Sequence, residues 1–520
     1  MEAKKNESAA RFIKRLRAID SERILLARSA AALRWDEETY LGEKGVEYRA
    51  EQIALLEGLS HDMLVQNETG DLLAALEADA PSAENADADA DADAEWPFAV
   101  QRDFLRVLGR DYRRAVKLPA DFVRACARDE ALSQAAWAAA RANNDFAAFA
   151  PHLQKMIDNA RAKSEYWGFA GRVYDGLLDS YEPGFFAGSI ARLFTPLREK
   201  LSALLRRIAS APKPETAFLH ARYGIEKQRE FNRGLMEGLG FDFGRGRLDT
   251  SAHPFTTTLG PSDVRITTRY AETDPLSGIF SVIHEMGHAF YELNVEPSLG
   301  ASCLAEGTSM GIHESQSRLW ENVIGRSRAF WEGWFPRLRA CFPSQLDGVT
   351  ADAFYRGLNT AGPSLIRTEA DELSYSLHVI LRFDLEQRLF DNTLGVDELP
   401  AAWNRALSDY LGIEAPDAAS GVLQDVHWSM GAFGYFPSYA LGNLYALHFW
   451  RRCRADLPRL DADLAARRYD DLHAWLREHI HRWGRRLDPA DLLAGVCGET
   501  LSEQPFVTYL EKKYTELYGI

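Results

Sequence analysis

The motif His284-Glu285-Met286-Gly287-His288 limits most strongly what this chain can fold into. Apolar residues at Val282-Ile283 and Ala289-Phe290 predict that the motif lies on a buried α-helix. Residues four apart lie one above the other on a helix, so both imidazoles can reach one metal ion. Glu285 is turned by about 100° from His284 and can reach a water beside that ion. The pattern therefore predicts a metal site that serves hydrolysis.

A catalytic zinc site needs a third protein ligand and an open position for water. A third histidine at the spacing His-x-x-Gly-x-x-His is absent, because Ala289-Phe290-Tyr291-Glu292 follows His288. The remaining class takes a glutamate from the next helix, where Glu314 is the first candidate. Glu306, a little over two turns earlier, is the second. Spacing favours Glu314 and leaves Glu306 open.

Helical periodicity fills most of the chain, and helix breaks are predicted near Pro119 and Pro151. The exception is 238–273, where glycines separate alternating β-branched and polar residues. This stretch predicts two or three short strands, as a hairpin or small sheet beside the His284 helix. Its edge strand would either hold an extended peptide by β-augmentation or be purely structural.

These patterns predict a mainly α fold, built as one large helical catalytic unit over residues 1–520. Its parts would be N-terminal helices (1–235), a metal and substrate region (236–445) and C-terminal helices (446–520). Residues 79–95 end in Ala-Asp repeats that cannot bury a core, so an exposed acidic loop is expected there.

Composition excludes several classes of protein. The net charge of −16 argues against general affinity for nucleic acid or anionic membranes. No run approaches the roughly 20 apolar residues of a membrane span, and Met1–Ser8 lacks the apolar core of a signal peptide. The five cysteines are scattered and form no CxxC pair. We therefore expect a reduced, cytoplasmic protein.

Six motifs stand in order along the chain. They are His253-Pro254-Phe255, Asp263-Val264-Arg265-Ile266-Thr267, His284-Glu285-Met286-Gly287-His288, His313-Glu314-Ser315-Gln316-Ser317, Ile366-Arg367-Thr368-Glu369-Ala370-Asp371-Glu372 and Gly421-Val422-Leu423-Gln424-Asp425-Val426-His427-Trp428. Together they resemble the carboxypeptidase Taq (thermostable carboxypeptidase 1) family of metallocarboxypeptidases. The resemblance implies an almost wholly helical fold with a deep central groove, a homodimer, and one divalent metal per chain, Zn²⁺ or Co²⁺. It implies removal of C-terminal residues with broad specificity, and it implies Glu314 as the third ligand.

Catalytic roles are predicted from the chemistry of these residues. Glu285 would act as general base towards the attacking water and then protonate the leaving amine. The tetrahedral oxyanion needs donors beyond the metal, and His427, Tyr435 and Tyr439 are the candidates. A buried tyrosine is also a common core residue with its hydroxyl satisfied.

An exopeptidase must also recognise the free carboxylate of its peptide substrate, and a guanidinium does so with paired hydrogen bonds. Arg367 is the first candidate, supported by the resemblance. Arg265 is the second, although its strand position suits a structural salt bridge equally well. His253 would contact substrate, support another site residue, or pack in the hairpin.

Three alternatives use the same metal motif. The first is an oligopeptidase or peptidyl-dipeptidase with a similar helical groove, which would release dipeptides or internal fragments. The second is a metal-bound binding protein that has lost catalysis, which the intact Glu285 and His427 disfavour. The third is a helical scaffold with a structural zinc, which would need a fourth ligand that the sequence does not offer.

Overall fold

The computed structural model describes residues 2–78 and 96–520, with side chains from residue 8 onward. Its described part is mainly α-helical with one three-stranded sheet, which confirms the predicted fold class. The acidic loop predicted for 79–95 lies outside the described residues. Among the described helices, none combines the length and the apolar character that crossing a membrane requires.

The helices are α1 (Glu2–Thr39), α2 (Val46–Val65), α3 (Asn67–Ala78), α4 (Phe98–Val116), α5 (Ala120–Asn143), α6 (Phe146–Trp167), α7 (Val173–Tyr181), α8 (Ala187–Ala209), α9 (Ile225–Gly238), α10 (Pro275–Leu293), α11 (Met310–Arg318), α12 (Arg328–Cys341), α13 (Ala351–Leu358), α14 (Ser374–Phe390), α15 (Leu399–Leu411), α16 (Phe436–Asp456), α17 (Leu460–Ala465), α18 (Asp470–His479), α19 (Pro489–Cys497) and α20 (Gln504–Tyr518). The strands are β1 (Gly246–Thr250), β2 (Thr256–Gly260) and β3 (Asp263–Thr268).

The break predicted at Pro119 is confirmed, because α5 begins at the next residue. The break predicted at Pro151 is wrong, since Pro151 lies inside α6. Asp145 caps that helix by accepting a hydrogen bond from the Ala148 amide. A proline in the second turn removes only one helical hydrogen bond, and the buried face of α6 outweighs this loss.

The chain packs into two compact units, each made of three separate segments. The first unit comprises Met1–Lys117, Gly224–Thr308 and Tyr469–Asp488. The second comprises Leu118–Tyr223, Ser309–Arg468 and Pro489–Ile520. Both units draw on all three predicted parts of the chain. The single catalytic unit predicted for 1–520, with its central groove, stays a prediction.

The first unit contains the sheet, and α10 packs on it. Strand β3 lies in the centre, parallel to β1 and antiparallel to β2, so β2 is an edge strand. Val264 and Ile266 of β3 are fully buried. Thr268 at the end of β3 bonds to Ser281 of α10, with their hydroxyl oxygens 2.6 Å apart. The small sheet predicted beside the His284 helix is confirmed.

The second unit is organised around α14 and α16. Most residues of these two helices are buried, including the polar side chains of Arg382, Glu386 and Asn443. The amide of Asn443 on α16 donates to the Ser376 hydroxyl on α14 at 3.2 Å. Helix α11 packs closely against α16. Helix segments that are buried on all sides need polar partners of this kind for their interior polar groups.

Two glycines of the first unit provide a matched test of backbone packing. Gly484 and Gly300 have nearly the same conformation, with φ 50°, ψ −135° and φ 56°, ψ −140°. A Cβ on Gly484 would lie 2.1 Å from the Leu304 carbonyl oxygen, whereas a Cβ on Gly300 would meet nothing within 4 Å.

We expect Gly300→Ala to lose about 1–3 kcal/mol of stability through backbone strain alone. Gly484→Ala carries the same strain and adds overlap with a backbone carbonyl, a further loss of about 1–3 kcal/mol. Scanning calorimetry should therefore give a lower Tm for Gly484→Ala than for Gly300→Ala. Equal Tm values would contradict the close approach at Gly484.

Candidate metal and active site

Helix α10 presents the two histidines of the motif from the first unit. Asp274 caps its N-terminus by accepting from the Ser277 amide at 3.1 Å, and Pro275 occupies the first turn. The rings of His284 and His288 have centroids 5.0 Å apart and planes at 81°. Both histidines are half-buried, whereas the adjoining apolar residues of α10 are fully buried. One helical turn therefore aligns two imidazoles on the accessible face of a buried helix.

Glu285 lies between the histidines and is 6% exposed. Its Oε2 accepts a hydrogen bond from the Thr256 hydroxyl on β2 at 2.6 Å. The Thr267 amide of β3 donates to the Phe255 carbonyl. Successive residues of an antiparallel strand point their backbone N–H and C=O groups alternately towards and away from the neighbouring strand. The N–H and C=O of Thr256, the next residue, therefore face away from β3. Thr256 is not identifiable as a site residue from sequence, because it belongs to a run of three threonines with nothing to distinguish its members.

The two other residues predicted in this unit have different surroundings. Arg265 forms a bidentate salt bridge with Asp263, with Nε–Oδ1 and Nη2–Oδ2 distances of 2.9 and 2.8 Å. This is the structural pairing that the sequence left open for Arg265. His253 is exposed in the connection between β1 and β2, and its carbonyl accepts from the Ser251 hydroxyl at 2.6 Å.

Glu314 lies on α11 of the second unit and is held from two sides. Its Oε1 accepts from Arg318 Nε at 2.7 Å and its Oε2 from the Ser317 hydroxyl at 2.9 Å. Gly442 of α16 packs directly behind it, since a Cβ there would lie 2.6 Å from Glu314 Cγ. Ser309 caps α11 by accepting from the Ile312 amide at 3.1 Å. Glu314 therefore has a fixed carboxylate on a fixed helix.

His284, His288 and Glu314 form a group whose potential ligand atoms all lie within 4.8 Å of one another. Two imidazoles and one carboxylate are a donor set of catalytic zinc sites, in which a further position stays open. The bonds from Ser317 and Arg318 orient the carboxylate, as outer partners of metal ligands do. These residues fit a divalent metal ion. Glu306 is not in the group, and its Oε2 lies 3.4 Å from Arg485 Nη1.

His427, Tyr435 and Tyr439 stand together in the second unit. His427 Nε2 lies 3.3 Å from the Tyr439 hydroxyl, and the His427 and Tyr435 rings stack at 5.7 Å. Burial, followed by the positive charge of Arg367, lowers the pKa of His427 to about 4. Burial raises the pKa of Tyr435 to about 12 and that of Tyr439 well above its usual range. All three groups are therefore neutral hydrogen-bond donors at pH 7.

Arg367 is buried beside this cluster. Its Nε and Nη2 donate to Asp425 Oδ1 at 3.0 and 2.8 Å, and its Nη1 donates to the Tyr375 hydroxyl at 3.0 Å. These bonds use three of the five guanidinium N–H groups. The guanidinium carbon also lies 5.2 Å from the centre of the Tyr439 ring.

Asp425 is shared by two arginines. Arg382 donates from Nε to Asp425 Oδ2 at 2.7 Å, opposite the oxygen that binds Arg367. Burial alone would raise the pKa of Asp425, but the charges of Arg382 and Arg367 bring it below its usual range. The two guanidinium groups of Arg367 and Arg382 and the one carboxylate of Asp425 give this cluster a net charge of +1. Arg382 is not among the residues predicted from sequence, and Asp425 has no predicted role although it stands in one of the six motifs.

A scan against protein-family models matches residues 15–514 to the family described as carboxypeptidase Taq (M32) metallopeptidase. Thermostable carboxypeptidase 1 of Thermus thermophilus is 40% identical over 509 residues, covering 96% of this chain and 97% of that protein. Carboxypeptidase 1 of Bacillus subtilis is 38% identical over 495 residues, covering 94% of this chain and 95% of that protein.

A solved structure has the same fold. The M32 carboxypeptidase from Deinococcus radiodurans R1 superposes with a TM-score of 0.92 at 39% identity, covering 98% of this chain and 99% of that chain. The resemblance seen in the six motifs is thus confirmed over nearly the full length. The chain belongs to the carboxypeptidase Taq (M32) family of metallopeptidases.

Proposed function

We propose that this enzyme is a metal-dependent carboxypeptidase that hydrolyses the C-terminal bond of peptides with broad specificity. The observation that carries the proposal is the group of His284, His288 and Glu314 with the carboxylate of Glu285 beside it. Zn²⁺ is the metal that this donor set favours, and Co²⁺ is the second choice. When bound, the ion would polarise the scissile carbonyl and lower the pKa of water.

The residues of the chain supply the proton transfers and the hydrogen bonds. Glu285 takes a proton from the attacking water on one carboxylate oxygen and delivers it to the leaving amine. Thr256 orients that carboxylate through its 2.6 Å bond to Oε2. His427, Tyr435 and Tyr439 would donate to the oxyanion, since each is neutral at pH 7. His427 Nδ1 has no hydrogen-bond partner among the described residues, which suits a contact made only with substrate.

Arg367 would bind the substrate carboxylate. Two of its guanidinium N–H groups remain after the bonds to Asp425 and Tyr375, which suits paired bonds to a carboxylate. The positive charge left on the Arg367–Asp425–Arg382 cluster also favours an anionic partner. The edge of β2 at Thr256 would pair with the extended peptide backbone.

Cellular setting and assembly are part of the proposal. All five cysteines are free, which supports a reducing compartment such as the cytoplasm. The homodimer rests on the family resemblance alone. Light scattering of the purified protein would test it directly.

One assay tests the proposed activity. Metal-loaded enzyme is incubated with an unblocked peptide and, separately, with the same peptide amidated at its C-terminus. The products are identified by mass spectrometry. We expect single amino acids from the C-terminus of the first peptide and no cleavage of the second, because the amide has no carboxylate for Arg367. Release of dipeptides would indicate a peptidyl-dipeptidase, and cleavage of the amidated peptide an oligopeptidase.

Glu285→Gln tests the general base. The substitution preserves the shape of the side chain and an acceptor for Thr256, but removes the group that takes the proton. We expect kcat to fall by about 10²- to 10⁴-fold, with metal content by mass spectrometry unchanged because Glu285 is not in the ligand group. Unchanged turnover would refute this role.

Arg367→Gln and Arg265→Gln form a matched pair for the carboxylate clamp. Loss of a charged hydrogen-bond partner from Arg367 should raise KM for an unblocked peptide by about 10- to 100-fold. Arg265 is occupied by Asp263, so its variant should change KM by less than about threefold. Steady-state kinetics would give both values, and the reverse order would transfer the role to Arg265.

A further inference from the structure

Helix α14 carries two ionisable side chains, an arginine and a glutamate, that are fully buried and one helical turn apart. Arg382 and Glu386 both have 0% exposure. Moving an ion from water into a protein interior is strongly unfavourable, so such groups persist only with well-formed hydrogen bonds. Both residues form hydrogen bonds with one short stretch of chain, Gln424–Gly434.

Arg382 holds the beginning of that stretch. Its Nε donates to Asp425 Oδ2 at 2.7 Å and its Nη2 donates to Gln424 Oε1 at 2.8 Å. Its Nη1 donates to the His378 carbonyl at 2.7 Å, one turn earlier on the same helix. The guanidinium is therefore fixed to α14 on one side and to the Gln424-Asp425 pair on the other.

Glu386 holds the middle and the end of the stretch. Its Oε1 accepts from the Trp428 indole N–H at 2.7 Å, and its Oε2 accepts from the Gly434 amide at 2.8 Å. The Tyr174 hydroxyl donates to the same Oε2 at 2.8 Å. One carboxylate thus binds two donors that follow His427 in the chain, the adjacent Trp428 indole and the Gly434 amide.

The stretch itself has little regular structure to hold it. It contains only a short 3₁₀ helix at His427–Met430, and its Gly434 has a φ of 82°. Irregular backbone must bond its polar groups to side chains or water. A rigid helix offering two anchors about 6 Å apart along its axis supplies those partners.

We propose that Arg382 and Glu386 are positioning residues, with Arg382 setting the place of Arg367 through Asp425 and Glu386 setting the place of His427 through Trp428 and Gly434. This inference rests on the proposed function, because it assigns roles within the same site. It predicts separate effects. Arg382 governs recognition of the carboxylate, and Glu386 governs the transition-state contacts of His427.

The variants Arg382→Lys and Glu386→Gln test this division. Lysine keeps the charge but cannot reach Asp425, Gln424 and the His378 carbonyl together. We expect KM for an unblocked peptide to rise by about tenfold or more, with kcat within about twofold. Glutamine places an N–H against either Trp428 or Gly434. We expect kcat to fall by about 10- to 100-fold, with KM nearly constant.

Asp384→Asn is the matched control. Asp384 lies between the two residues on α14, but it bonds to Arg198 at 3.2 Å and to the Tyr410 hydroxyl at 2.6 Å, away from the stretch. Its loss should lower the thermal stability and leave both KM and kcat unchanged. Parallel changes of KM and kcat in all three variants would overturn the proposal, since they would indicate general damage to α14.

Two readouts do not depend on turnover. Calorimetric binding of 3-phenylpropionate, a carboxylate without a peptide bond, should weaken about tenfold in Arg382→Lys and stay unchanged in Asp384→Asn. The ring NMR signals of His427, assigned through His427→Gln, should shift in Glu386→Gln and not in Asp384→Asn. These results would support the positioning roles even if the wild-type protein released no amino acid, an outcome that would refute only the proposed function.

Circular dichroism checks that each variant folds. If Glu386→Gln does not fold, Trp428→Phe removes one donor to Glu386 and keeps an aromatic ring of similar packing. It should lower kcat by about three- to tenfold and shift the His427 signals. Normal kcat and unshifted His427 signals in Trp428→Phe would overturn the role of Glu386.

Discussion

The second unit depends on the burial of two guanidinium groups against a single carboxylate. Arg367 and Arg382 share Asp425, and their further N–H groups bond to Tyr375, Gln424 and the His378 carbonyl. Such a cluster is tolerated in a low-dielectric interior because most of its N–H donors form hydrogen bonds. Its excess positive charge has a second effect, because it helps to keep the neighbouring His427 imidazole neutral. The same cluster of two arginines and one aspartate therefore provides the positive charge at Arg367 and favours the neutral form of His427.

The first unit buries a carboxylate, that of the proposed general base. The carboxylate is that of Glu285, and the Thr256 hydroxyl on the edge strand donates a hydrogen bond to its Oε2. The strand order β1–β3–β2 makes β2 an edge strand, and its Thr256 contacts Glu285.

The metal motif, the helical fold and the small sheet were predictable from sequence because each depends on local spacing. His284, Glu285 and His288 follow helical geometry, and the strands follow alternation. Glu314 needed the family resemblance, since spacing alone did not exclude Glu306. Thr256, Arg382 and Glu386 were not found, because their importance arises from long-range contacts. A sign was present in α14, whose apolar sequence contains charges four residues apart at Arg382 and Glu386. The helix break predicted near Pro151 was wrong, because the buried face of α6 stabilises the helix more than the proline destabilises it.

The discontinuous make-up of the two units affects how the protein is made. The first unit includes Tyr469–Asp488 and the second includes Pro489–Ile520, so neither unit is complete until these late segments have been synthesised. Segments of both units emerge from the ribosome with large apolar faces whose partners do not yet exist. Nascent chains of this kind fold late and expose aggregation-prone surface during translation. Expression of soluble protein should therefore respond to slower synthesis and to chaperones that shield unfinished chains.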